Sequence, residues 1–319
     1  MMQLLSPAKI NVTLRVLGVR EDGFHALDSA VVPLGLCDEV TLARAAEGTT
    51  LSVVGEGVEL GAMPTDAEGN LAVRAVRLLE REVGRSLPTR LEIRKRIPLG
   101  GGLGGGSSNA ATVLRGMNEL WDLGLPRERL CELSSELGSD VAQFVLDGLV
   151  RMRGRGEVVE RAEERFGPGV WVVLANDGTH CPTPAVYRAF DRAPDAGGRL
   201  TNGDELWDTV RLSFQAGEVS RVAEAVGNDL EAACFGLFPG VARTAEALRA
   251  VGCQGVTLCG SGATVFGLVR SREEGEQALG HPALAGCWRA CVQTLPDGVM
   301  AAHGPLTPIV MVRIHVGQP

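Results

Sequence analysis

The sequence predicts two domains that each mix strands with helices, and three observations carry this. The 319 residues fill about two domains at the usual 100–200 residues apiece. Segments with the period-two alternation of strands, such as PAKINVTLRVL, are interleaved with segments of helical period, such as NLAVRAVRLLEREVG. The arginine-rich stretch RMRGRGEVVER (151–161) breaks this order near mid-chain and is the best candidate boundary, although it also reads as a solvated strand-turn-strand. With 45% hydrophobic and 22% charged residues, the composition excludes a disordered chain, a collagen-like repeat and a disulfide miniprotein.

Taken in order, Ile10, Val12, Leu14 and Val16 alternate along a half-buried strand over 7–17, and a turn-rich loop (18–29) follows with the pair Phe24–His25. VVPLGLCDEVTL (31–42) resumes the strand pattern, with two more short strands expected before residue 60. Leu71, Val73, Val76, Leu79 and Val83 predict a helix over 70–84 that Gly84 can stop. Leu91, Ile93 and Ile97 share one strand face. A glycine run follows, and then Ala110, Val113, Leu114, Met117, Leu120 and Trp121 mark an amphipathic helix with Ser107 and Ser108 as its N-cap candidates. A further helix spans 126–137 from Pro126 to Gly138, and GSDVAQFVL opens a new element with Ser139 and Asp140 at its mouth. Beyond 161 the expectations are a buried strand (171–177), a loop entering a helix (181–190), a flexible loop (193–203), helices broken near Pro239 (228–252), and a strand, glycine turn and strand (253–269). The last segment, PLTPIVMVRIHVGQP, carries no pattern that places it.

The net charge of −8 argues against whole-surface attraction to nucleic acid or anionic lipid. The first residues lack a basic start followed by an apolar core, and no apolar run approaches membrane-spanning length, so a cytoplasmic protein is expected. None of the eight cysteines forms a C-x-x-C pair, which leaves buried apolar thiols as the expectation and zinc or redox motifs absent. Of 31 basic residues only Lys9 and Lys95 are lysine. In a chain that uses arginine almost everywhere, a surviving lysine marks a place where a compact point charge does something a planar fork cannot.

Six of the seven residues 100–106 are glycine. Such a loop admits positive φ and close approach of backbone to ligand, and amides converging at a helix N-terminus make a phosphate site. Gly100, Gly102 and Gly105 fit G-x-G-x-x-G, but the acidic residue that a dinucleotide fold needs at the end of a second strand is missing. A P-loop is excluded because no lysine follows the glycines. The loop is therefore expected to hold phosphate with main-chain amides, Ser107 and Ser108, the assisting cation coming from elsewhere in the chain.

PAKIN, PLGGGLGGGSSNAA and CGSGAT resemble the three motifs of the GHMP small-molecule kinases. PAKINVTLRVLGVREDGFHALDS, LGSDVAQF, PTPAVY and NDLE resemble the branch of that family that acts on a cytidine-diphosphate methylerythritol in the non-mevalonate isoprenoid route. The resemblance covers roughly residues 5–270. It implies two α+β domains, an ATP-binding one over 1–152 like a ribosomal-protein-S5 fold and a ferredoxin-like one over 153–303, with 304–319 an unassigned tail. It also implies phosphoryl transfer from ATP, with Mg2+, to the 2-hydroxyl of the cytidyl alcohol, by a monomer or homodimer without nucleic-acid or membrane partners. By the same resemblance Lys9 and Asp140 are the catalytic pair, Asp140 as base and Lys9 stabilising charge. Pro98, Leu99, Gly100, Gly101, Gly102, Leu103, Gly104, Gly105, Gly106, Ser107 and Ser108 cradle the ATP phosphates, with Asn70 and Lys95 near the nucleotide base. Phe24, His25 and Tyr187 hold the cytosine, and Asn11 and Thr183 make polar substrate contacts. The metal ligands are not implied. Phe24 stands where the family often has Tyr, which keeps stacking and loses a hydroxyl, and Asn109 stands where Asp is common. The alternatives are another GHMP kinase acting on homoserine, mevalonate or a sugar, a non-catalytic nucleotide-binding protein, and a dinucleotide dehydrogenase.

Overall fold

A computed structural model describes residues 1–60, 69–193 and 203–299. The chain divides into two compact units, and it passes between them five times. Unit one comprises 1–8, 36–99 and 104–147, and unit two comprises 9–35, 100–103 and the chain from 148 on. Two long strands, β1 (Met2–Val19) and β2 (His25–Arg44), contribute residues to both.

Unit one continues with β3 (Thr50–Gly55), α1 (Leu71–Val83), β4 (Thr89–Lys95), α2 (Gly105–Leu120), α3 (Arg127–Ser134) and α4 (Val141–Leu146). β4 lies antiparallel to the C-terminal part of β2, from Glu39↔Arg94 to Arg44↔Thr89, and parallel to β3. Its residues alternate strictly, so Thr89, Leu91, Ile93 and Lys95 face inward while Arg90, Glu92 and Arg94 face out. The same alternation that buries two apolar residues therefore carries Lys95 to the inner face. Asn70 caps α1 by accepting from the Ala72 amide at 2.9 Å, and Gly84 ends it at φ 65°, its amide donating to the Glu80 carbonyl. α1 and α2 pack together, and Val76, Leu79, Ile93, Val113, Met117 and Phe144 join one apolar core.

Unit two adds β5 (Val150–Gly154), β6 (Val158–Arg161), β7 (Trp171–Asn176), α5 (Thr183–Phe190), α6 (Gly203–Ala216), α7 (Val219–Ala225), β8 (Gly227–Asn228), α8 (Glu231–Leu237), α9 (Pro239–Ala250), β9 (Gln254–Leu258), β10 (Val265–Val269), α10 (Arg272–Leu279) and β11 (Trp288–Gln293). The N-terminal part of β2 pairs with β5, and β5 with β6, so the arginine-rich stretch is a hairpin. β8 pairs in parallel with β1 at Thr13↔Gly227 and Leu14↔Asn228. A second, antiparallel sheet has the order β11-β7-β10-β9. Every residue of β10 is buried, as is β7 after Trp171, and α9 and α10 pack on both strands.

The boundaries differ from expectation in four places. The expected loop 18–29 shrinks to residues 20–24, since β1 runs to Val19 and β2 starts at His25. One strand, β3, stands where two were expected. α2 begins at Gly105 behind an N-cap of Gly104 at φ 72°, so Ser107 and Ser108 lie inside its first turn rather than capping it. Helices α6, α7 and α10 and strand β11 fall where no element was expected. Most of the flexible loop expected at 193–203 and the whole 304–319 tail lie outside the described residues. The described cysteines are free and all but Cys131 are buried, and burial pushes the thiols of Cys253, Cys259 and Cys291 up to about 12, which makes them unreactive.

Candidate active site

In unit one, Gly104 at the end of the glycine loop caps the N-terminus of a four-turn helix. The first amides of α2 have no helical partner, and their dipole favours an anion. A buried polar network braces this end from behind. The Asp38 carboxylate receives the Lys95 ammonium, the Asn109 amide at 2.9 Å, and the backbone amides of Arg96 at 2.7 Å and Ile97 at 3.0 Å. Lys95 Nζ also donates to Asn109 Oδ1 at 3.0 Å, and Asn109 Nδ2 to Ser6 Oγ at 2.8 Å. A Cβ on Gly105 would lie 3.1 Å from Lys95 Nζ, so the ammonium sits directly behind the first residue of the helix.

This network corrects two expectations. Lys95 is 0% exposed and its ammonium is committed to Asp38 and Asn109, so it has no surface with which to touch a nucleotide base. With Asp38 and Asn109 it braces the N-terminus of α2 from within. Ser108 is likewise fully buried, its hydroxyl shared with Ser6 Oγ at 2.8 Å, which leaves Ser107 and the amides facing outward. Asn109 in place of Asp is also explained, because a carboxylate there would face that of Asp38 instead of donating to it. Asn70 spends its side-chain oxygen on capping α1. Asp140 immediately precedes α4, half-buried at φ −86° and ψ 1°. Its carboxylate has no hydrogen bond or ion pair among the described residues, so both oxygens remain available as acceptors.

In unit two, Lys9 follows from the alternation of β1 into a pocket of backbone. It is 4% exposed, and its Nζ donates to Asn11 Oδ1 at 2.7 Å. Asn11 Nδ2 donates to Ser29 Oγ at 2.8 Å, and Ser29 donates to the Thr13 carbonyl at 2.6 Å. An ammonium has three N–H donors. Among the described residues Lys9 has this one acceptor, so two donors stand ready for a ligand. The turn 259–264 closes over this position. A Cβ on Gly260 would lie 3.5 Å from Lys9 Nζ, and Asn228 secures the turn by donating to the Gly260 carbonyl at 2.7 Å. Gly101 and Gly102 pack against the turn, with the Thr264 amide donating to the Gly101 carbonyl at 3.2 Å.

A Cβ on Gly102, at φ 77°, would come within 1.9 Å of the Cys259 carbonyl oxygen. Gly102→Ala is expected to cost at least the roughly 1–3 kcal/mol of a strained backbone position. Thermal melts check this, and a variant with the parent's melting temperature would contradict the packing described.

A second group in unit two is aromatic. Thr183 and Tyr187 lie at i and i+4 on one face of α5, and Asp191, its C-cap residue, follows at i+8. Tyr187 packs on His25 with ring centroids 4.6 Å apart and planes at 34°. Asp191 Oδ1 lies 2.7 Å from His25 Nε2. Thr183 Oγ1 lies 2.8 Å from Ser261 Oγ of the glycine turn. Phe24 is 56% exposed, with the Arg155 guanidinium 5.1 Å from its ring centroid. Sequence reasoning passed over Asp38 and Asp191, and it quoted Asn228 and Ser261 only within the motifs NDLE and CGSGAT. The position of Lys95 on the inward, otherwise uncharged face of β4 was a signal that a buried carboxylate must be near, whereas Asp191 is a lone polar residue at a helix end with no signal of its own.

Comparison with known proteins shows the family. The family model "GHMP kinases N terminal domain" matches residues 70–148, and "GHMP kinases C terminal" matches 211–281. The chain is 39% identical over 296 residues to a 4-diphosphocytidyl-2-C-methyl-D-erythritol kinase of Citrifermentans bemidjiense, spanning 92% of this chain and 99% of that one. It is 37% identical over 266 residues to a protein of the same name from Bacillus cereus, covering 83% and 86% of the two chains. A crystal structure of 4-(cytidine 5'-diphospho)-2C-methyl-D-erythritol kinase superposes with a TM-score of 0.75 at 31% identity, over 92% of this chain and 99% of that one. L. major mevalonate kinase shares the fold at a TM-score of 0.67 and 15% identity. By these matches the chain belongs to the 4-diphosphocytidyl-2-C-methyl-D-erythritol kinase family of the GHMP kinases, ATP-dependent enzymes that phosphorylate small molecules.

Proposed function

We propose that this chain transfers the γ-phosphoryl group of ATP to the 2-hydroxyl of 4-diphosphocytidyl-2-C-methyl-D-erythritol, a step toward isoprenoid precursors. The observation that carries the reading is the buried Lys9 ammonium, with one protein acceptor among the described residues and two donors unspent. A buried cation left in this state is costly unless an anionic ligand completes it. Phosphoryl transfer asks the protein chiefly for positioning and charge stabilisation.

In this reading Asp140, whose carboxylate has no partner among the described residues, accepts the alcohol proton as the oxygen attacks phosphorus. Lys9 stabilises the charge on the transferred group, and Asn11 fixes where the ammonium points. The amides of Gly104, Gly105 and Gly106, with Ser107, hold the ATP phosphates, while Pro98 to Leu103 form the approach and Asn70 stands by the nucleotide base. Phe24 and Tyr187 receive the cytosine ring by stacking, His25 reads its edge, and Thr183 and Asn11 contact the alcohol. The division of labour between an ATP-binding segment (1–152) and a C-terminal one (153–303) is supported by the two family matches, which fall on either side of it.

Magnesium fits the donors present. Among the described residues no three His, Cys, Asp or Glu side chains form a metal cage. The ion instead suits a site that the nucleotide's phosphates share with one or two hard oxygens, for which Ser107 and Asp140 supply a hydroxyl and a carboxylate. When bound, magnesium would neutralise charge on the nucleotide's phosphates.

The test is a substrate panel. Purified protein with ATP, Mg2+ and either the cytidyl alcohol, homoserine or mevalonate is assayed for ADP. The cytidyl alcohol is expected to lead in kcat/KM by about 100-fold or more, since a site built to pair with a base rejects alcohols that lack one. Preference for an unadorned alcohol would overturn the assignment.

A further inference from the structure

The proposed site holds His25 between two groups with different demands. Tyr187 packs on one face of its ring, and Asp191 Oδ1 sits 2.7 Å from Nε2. An ionised carboxylate only accepts hydrogen bonds, so Nε2 must carry a hydrogen. In the neutral ring the other nitrogen, Nδ1, is then a bare acceptor, and among the described residues it has no partner. The His25 side chain is 13% exposed while that of Asp191 is 42% exposed, so the carboxylate supports the ring from the solvent side.

Cytosine and uracil differ at two neighbouring positions of the edge such a nitrogen can read. Cytosine presents an exocyclic amine, a donor, where uracil presents a carbonyl, and a bare ring nitrogen where uracil carries N–H, so an acceptor selects cytosine when it faces the exocyclic group. We infer that Asp191 is a specificity-determining positioning residue: it fixes His25 as the Nε2–H tautomer, so that Nδ1 accepts from the cytosine amine and repels the uracil carbonyl. The inference rests on the cytidyl-substrate reading above and adds to it the residue that selects the base. The spacing of Thr183 and Tyr187 along α5, with Asp191 as its C-cap, gives the arrangement its rigidity, because one helix and its cap present the substrate hydroxyl contact, the stacking ring and the tautomer-setting carboxylate together.

The experiment uses the full chain and the variants Asp191→Ala and Asp191→Asn, with thermal melts confirming that each folds, since the side chain is 42% exposed. Asn keeps an acceptor oxygen and Ala does not. With the cytidyl alcohol, Asp191→Ala should raise KM about three- to tenfold, the worth of one neutral hydrogen bond, with the loss falling on KM rather than kcat. Discrimination against the uridine analogue should fall by the same factor, and Asp191→Asn should restore most of both. Nitrogen-15 NMR of the histidine side chains at pH 8.5 should show His25 protonated at Nε2 and bare at Nδ1 in the parent, and a tautomer mixture in Asp191→Ala. A proton on Nδ1 in the parent, or full discrimination kept by Asp191→Ala, overturns the inference. If the parent phosphorylates neither alcohol, the substrate reading fails. Binding of cytidine 5′-diphosphate against uridine 5′-diphosphate then decides the inference, with a cytidine preference lost in Asp191→Ala supporting it and equal binding overturning it.

Discussion

Asp140→Asn is expected to lower kcat by about 10²–10⁴ while leaving KM for both substrates within a few fold, the range typical of losing a general base. The substitution is nearly isosteric and the carboxylate has no partner among the described residues, so nothing in the packing should change. Stability should stay within about 0.5 kcal/mol, as for surface changes away from networks. Rapid-quench measurement of the chemical step separates this from slow product release. A variant within tenfold of the parent in that step would remove Asp140 from the role of base and leave substrate positioning as its only contribution.

Lys9→Met should show the opposite signs for activity and stability. Charge stabilisation by one preorganised donor is worth roughly 10²–10³ in kcat, and that loss is expected here. Stability should hold or rise, because an ammonium that is 4% exposed with one acceptor among the described residues is replaced by an apolar side chain of similar length. Lys9→Arg should not rescue activity. Gly260 and Gly102 leave room for a compact ammonium, and a planar fork has to push against the backbone of the 259–264 turn. Thermal melting alongside steady-state kinetics distinguishes the cases, and a Lys9→Met protein that loses activity and melting temperature together would make Lys9 a structural residue.

The sequence shows the site's chemistry more plainly than its geometry. Glycine at 100–106, two surviving lysines and an Asp at a helix mouth are visible as residue types, since each is there for a property that few other residues share. Their partners are less visible. Asp38 lies in an apolar strand, 57 positions from Lys95, and only the pairing of β2 with β4 makes them neighbours. Regular strands and helices with one buried face were legible for the same reason that β4 was, because period and burial coincide. The helix α6 carries Trp207, Val210 and Phe214 at near-helical spacing and was open to the same reading. β11 is different, because the inner half of WRACVQ is buried on both faces and shows no alternation. Residue 18–29 misled for a chemical reason, since Gly18, Asp22 and Gly23 announce a turn while β1 and β2 extend almost to its tip.

The parallel pairing of β1 with β8 has a consequence for biosynthesis. Arg15 and Asp229, which join by an ion pair beside that pairing, are 214 positions apart. At about 5–20 residues per second the ribosome takes roughly 10–40 s to deliver the second after the first. Throughout that interval the first strand made is the one whose edge is completed late, and it is rich in valine, leucine and isoleucine. This edge of the sheet is therefore completed only when translation is more than two-thirds done.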